Sequence, residues 1–187
     1  GSQAGATISY RLRGDHKRGV SVFLRGSGAL SAPGQQEIAI GTNIRPMSHI
    51  PVSVYAEQRL GNGPQRNRGT AIYLAGGTGP DRIFEDLTIE TYGQAGYVFG
   101  PPNSYFFDAA ATMQKDLIGK GKRKLTVGGG FWTGGQRGAE RLDIGPRATI
   151  HFPVDRASVR LSVDWRQRVA GDALPGSGVA VTLSAGY

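Results

Sequence analysis

From Leu125 to its last residue the chain alternates between two chemistries, position by position. Leu125, Val127, Gly129 and Phe131 stand against Thr126, Gly128, Gly130 and Trp132. Leu142, Ile144, Pro146, Ala148, Ile150, Phe152 and Val154 stand against Arg141, Asp143, Gly145, Arg147, Thr149 and His151. Val159, Leu161, Val163 and Trp165 oppose Ser158, Arg160, Ser162, Asp164, Arg166 and Arg168, and Val179, Val181, Leu183, Ala185 and Tyr187 oppose Ala180, Thr182, Ser184 and Gly186. Successive side chains of a strand point to opposite faces, so each run has an uncharged face and a polar one. Every charge in these runs, from Arg141 to Arg168, lies on the polar side.

Soluble strands, which alternate too, usually run about five or six residues, whereas strands that cross a bilayer need roughly 9 to 11. These runs are of the longer kind. Aromatics on the apolar side gather at run ends, at Tyr97, Phe99, Tyr105, Phe107, Phe131, Phe152 and Tyr187, where amphipathic rings prefer the headgroup level. A final strand ending on an aromatic is similar to the tail of bacterial outer-membrane barrels that the barrel-assembly machinery reads. The expected fold is therefore all-β: an antiparallel transmembrane β-barrel in the bacterial outer membrane, with a periplasmic carboxy terminus. The expected membrane-facing residues include Val159, Leu161, Val163, Trp165, Val179, Val181, Leu183 and Tyr187. Arg at Leu161 should block assembly, and Arg at Ser162 should be tolerated.

Earlier runs begin near Ala6, Gly19, Glu37, Pro51, Gly69, Asp86 and Ser104, making eleven in all. Bacterial single-chain barrels have even strand numbers, which predicts about 12 strands or the end of a larger barrel. The run GTAIYLAGG fits worst, with apolar residues on both faces. Alternating back from the tail, VAGDALPGSG, GGQRGAE, FGPPNS, GNGPQRNRG and GALSAPGQQ are expected outside, and PVDRA, GKGKRK, GGTGPDR, RPMSH and GDHKRG as periplasmic turns. With 187 residues, 30 of them Gly and none Cys, residues 3–187 are expected to form one domain, Gly1-Ser2 being a cloning scar. No run approaches a spanning helix.

The expected lumen residues are Arg11, Arg25, Arg45, Arg59, Arg147, Arg160, Arg166 and Arg168 against Glu57, Glu90, Asp108, Asp143 and Asp164. The excess is positive, as is the formal net charge of +8. A low-dielectric wall of one sign concentrates the opposite sign, so an anionic glycan or small anion is favoured. The alternative is a set of Arg–carboxylate ladders that pin strands, a role suited to the bidentate guanidinium. Tyr55, Tyr92 and Trp132 point inward too, as sugar-stacking surfaces or as space-filling.

Three stretches carry a resemblance: YGQAGYVFGPPNSYFFDAA from Tyr92, GGGFWTGGQRGAERLDIGPRATI from Gly128 and DWRQRVAGDALPGSGVAVTLSAGY from Asp164. They resemble the carboxy-terminal domain of the phage adsorption protein A family, related in layout to the outer-membrane exopolysaccharide exporters of cellulose-synthase operons. The likeness covers the chain from Tyr92 onward, and its most specific pieces are W-x-G-G-Q with R-L-D-x-G-P and the later V-A-G-x-A-x-P-G-S-G. It implies an outer-membrane barrel preceded by periplasmic tetratricopeptide repeats, at the membrane end of an exopolysaccharide-export or phage-receptor protein. This sequence carries no such repeats.

No enzyme, metal site or cofactor is expected. The three histidines are His16 and His49 in turns and His151 inside, with no serine beside His151 on its face and no cluster of metal ligands. The expected partners are outer-membrane lipid, lipopolysaccharide touching RGAER and QRNR, and an anionic or neutral glycan. Nucleic acid is not expected, because the basic residues alternate along strands rather than forming one patch. The expected role is a passive pore or anchor, and the alternatives are a closed structural or receptor barrel without transport and, behind it, an outer-membrane enzyme.

Overall fold

The computed structural model describes residues 3–14, 19–29, 36–61, 69–120, 123–154, 157–174 and 176–186. Gly1, Ser2, His16, Tyr187 and the QRNR segment lie outside the described residues. Eleven strands result: β1 (Gln3–Gly14), β2 (Gly19–Ala29), β3 (Gln36–Arg45), β4 (Val52–Gly61), β5 (Gly69–Arg82) and β6 (Leu87–Phe99), then β7 (Ser104–Lys120), β8 (Arg123–Gln136), β9 (Ala139–Val154), β10 (Ala157–Gly171) and β11 (Gly178–Gly186). Among the described residues there is no helix. The strands form one antiparallel sheet in which each pairs with its neighbours in sequence, from β1 to β11. The count equals the eleven runs read from the sequence rather than about twelve, and β1 and β11 are each paired along one edge among the described residues.

Register keeps the two chemistries apart from strand to strand. Leu125 of β8 lies opposite Ile150 of β9, which lies opposite Leu161 of β10 and, through it, Leu183 of β11. One residue along, Thr126, Thr149, Ser162 and Thr182 form the matching polar row. A slip by one residue would exchange the rows, so the pattern itself fixes the pairing. In the first half Ile8, Leu24 and Ile40 share one exposed row, while Ser9, Phe23, Gly41, Glu57 and Ala71 share the other face.

One expected turn is a strand. GGTGPDR continues β5 to Arg82, and the chain reverses at residues 83–86 instead. Gly79 takes a positive φ of 98° there, a conformation open to glycine, so a segment with turn composition stays in the ladder. The real turn is closed by the Ile83 amide donating to the Leu87 carbonyl at 2.9 Å. The VAG of the last loop also belongs to a strand, since β10 runs to Gly171.

By contact density the chain divides into two compact units, residues 1–77 with 93–107, and residues 78–92 with 108–187. In the second, Arg160 of β10 reaches Glu90 of β6 at 3.0 Å. Those strands are four apart in the order, on the order of 19 Å in a flat sheet at about 4.8 Å per step. The face that carries them is therefore concave. In the first unit the guanidinium of Arg59 on β4 lies 4.7 Å from the ring centre of Phe106 on β7, three strands along, so the face that carries these two residues is concave as well.

Close strand approach is built on glycine. A Cβ at Gly145 would overlap the Trp165 carbonyl oxygen, a backbone atom with no room to yield, whereas one at Gly129 meets its nearest neighbour at 3.4 Å. Gly145→Ala is expected to destabilise the fold by about 1 to 3 kcal/mol. Gly129→Ala should stay within about 0.5 kcal/mol. Urea unfolding of both variants checks this, and equal losses would contradict the assigned packing.

Candidate functional site

In the first unit the concave face is filled by rings around one acid. Phe23 meets Tyr55 edge-on at 5.7 Å, Tyr55 stacks on Tyr73 at 4.8 Å and 7°, and Tyr73 meets Phe106 at 5.6 Å. Glu57, 2% exposed, sits among them. Its carboxylate accepts from Arg25 Nη2 at 2.8 Å, Arg59 Nε at 2.5 Å and the Tyr73 hydroxyl at 3.1 Å, and Arg25 also donates to Glu37 at 2.8 Å. A buried carboxylate needs such partners, because desolvation without them costs several kcal/mol. Arg45 donates to the Ile50 carbonyl at 3.3 Å, tying a hairpin end. Arg11 lies on β1, exposed, in the row that continues through Ser21, Asn43, Tyr55 and Tyr73.

The concave face of the second unit carries paired charges. Asp164, with no exposed surface, accepts Arg147 Nε and Nη2 at 2.6 and 2.9 Å and Arg166 at 3.3 Å. Asp143, equally buried, accepts Arg168 at 2.8 Å and also Arg141. The guanidinium groups of Arg147 and Arg166 both lie over the ring of Trp132, which is 6% exposed, 5.3 and 4.6 Å from its centre. A hydroxyl row links the strands: Thr126 donates to Gln114 at 2.9 Å, and Thr149 and Ser162 share a bond of 2.9 Å. Asp108 and Tyr92 line a hollow of about 270 Å³ beside this cluster.

The predicted lumen residues thus share concave faces, and most of the arginines are engaged with carboxylates. That is the arrangement of the strand-pinning ladder. Tyr55 and Trp132 are occupied by other side chains, which fits space-filling better than a stacking slide, while Tyr92 is 43% exposed. Val159, Leu161, Val163, Trp165, Val179, Val181 and Leu183 all lie on the opposite, apolar face. The residues missed are Phe23, Tyr73 and Phe106. Their signal was parity: Phe23 alternates with exposed Val22 and Leu24, and Tyr73 with exposed Ile72 and Leu74. The apolar double face of GTAIYLAGG therefore marks a strand with an aromatic-filled inner side.

Among the described residues no group of three or more His, Cys, Asp or Glu is placed to hold a metal ion. Compared with protein-family models, curated proteins and solved structures, the chain matches none of them. Its chemistry is accordingly read from its own side chains.

Proposed function

We propose that this chain is a membrane-spanning β-barrel domain of the bacterial outer membrane, serving as a pore or anchor with a polar, net basic interior. The observation that carries the reading is an apolar face that no other described residues cover. Ile38, Ile40, Leu74, Val163, Val181 and Leu183 are all exposed, and all eleven strands belong to one sheet, so among the described residues no second sheet covers them. Soluble monomers rarely expose contiguous apolar area beyond a few hundred Å². Tyr97, Phe99 and Tyr105 are exposed on that face within two residues of the strand ends beside the β6–β7 turn, as interfacial aromatics would be. By its resemblance to the phage adsorption family, the domain would be the membrane end of an exopolysaccharide-export or phage-receptor protein, and a solute would pass without chemistry.

A second reading, a closed receptor barrel, is favoured by one feature: the rings packed around Glu57 occupy concave space that an open conduit needs. Refolding into detergent and comparing boiled with unboiled samples on a gel tests the barrel itself. Faster migration of the unboiled form is expected. A monomer stable in buffer without detergent would overturn it. Current steps in a planar bilayer then separate conduit from plug.

A further inference from the structure

The second unit holds a larger hollow, of about 640 Å³, on its concave face where the β5–β6, β7–β8 and β9–β10 hairpins turn. Its wall includes Arg82, Lys124, Arg160, His151, Glu90 and Thr112. Three basic side chains share two acids: Arg160 pairs with Glu90 at 3.0 and 3.2 Å, while Lys124 at 2.8 Å and Arg82 at 3.7 Å share Asp116. Donors are left over, since an ammonium carries three N–H groups and a guanidinium five. The Thr112 hydroxyl is a second, independent sign. Thr112 is 5% exposed, its Oγ1 has no hydrogen-bond partner among the described residues, and the residue borders this hollow and the smaller one beside it. A buried polar group without a partner costs about 1 to 3 kcal/mol, a penalty that a bound acceptor removes.

We infer that this hollow is an oxyanion-binding site, taking a solute that bears a sulfate, phosphate or carboxylate group. Lys124 and Arg160 supply the charge, as charge-assisted hydrogen bonds to oxyanions are the strong kind. The remaining volume accommodates the body of an organic anion. Because the site lies within one compact unit, it does not rest on the membrane reading or on passage through the domain.

The test is calorimetric titration of the full folded chain with sodium sulfate and with sodium glucuronate, at ionic strength matched by sodium chloride. Detergent is present only if the chain needs it, so failure of the membrane reading leaves the result interpretable. Saturable binding is expected, weakened about tenfold in Lys124→Gln. Glu90→Gln should tighten it several-fold by releasing Arg160, a gain that a misfolded variant cannot produce. Tighter binding of glucuronate points to an organic carboxylate as occupant, and tighter binding of sulfate to a sulfate-like group. Heats that do not distinguish either anion from chloride, or an affinity unmoved by Glu90→Gln, would overturn the site.

Discussion

Glu57→Ala should cost about 3 kcal/mol of folding stability, read as a fall in the urea midpoint of the detergent-refolded protein. Removing one member of a buried ionic cluster leaves the others uncompensated, typically at about 3 to 5 kcal/mol. The lower end applies here for a structural reason. Arg25 is 30% exposed and keeps Glu37, whereas Arg59 is 14% exposed and loses its carboxylate, and the Tyr73 hydroxyl loses its acceptor. Replacing Glu57 and Arg59 together by Leu and Met removes the stranded charge along with the acid, while Arg25 keeps its ion pair with Glu37. That variant should recover most of the loss, since apolar substitution of whole buried clusters is often neutral. A single variant within about 0.5 kcal/mol of wild type would mean that Glu57 is not the acid around which this unit closes.

Val181→Arg should prevent stable insertion into lipid vesicles, and Thr182→Arg should not. Val181 is mid-strand on the apolar face and exposed, where a cation at the bilayer midplane costs about 2 to 4 kcal/mol. Thr182 is its neighbour on the concave side and borders the smaller hollow. Adjacent positions share backbone, assembly route and sequence context, so only facing separates them. Leu161 and Ser162 offer the same contrast on sequence grounds alone, but Ser162 is 9% exposed and bonded to Thr149, leaving little room for a long side chain. Indistinguishable insertion of the two β11 variants would refute the lipid-facing assignment.

Period-two alternation made the strands legible, because facing depends on nothing beyond the pleat. Asp143, Asp164, Trp132 and their arginines could be placed on one side from parity, and that side is concave. Partners were not legible. Arg160 meets Glu90 across four strand positions, and Glu57 gathers donors from β2, β4 and β5, relations set by curvature and register rather than by local sequence. Turn chemistry misled where it was richest: Gly-Gly-Thr-Gly-Pro stayed within β5, while the apolar pair Ile83 and Phe84 supplied the reversal. The unpartnered hydroxyl of Thr112 carries no sequence signal at all.

Strict neighbour-to-neighbour order has a kinetic consequence. Each ladder closes over a single short connection, so little chain entropy is lost per step and growth can proceed by zippering one hairpin onto the last. Of the side-chain contacts described above between strands that are not neighbours, the Arg160–Glu90 bridge spans the most, 70 residues apart in sequence, and no pair of adjoining hairpins can make it. It forms only after β6 to β10 have joined and bent. Its two residues thus report completion rather than initiation, and substitutions there should hasten unfolding while leaving the folding rate nearly unchanged.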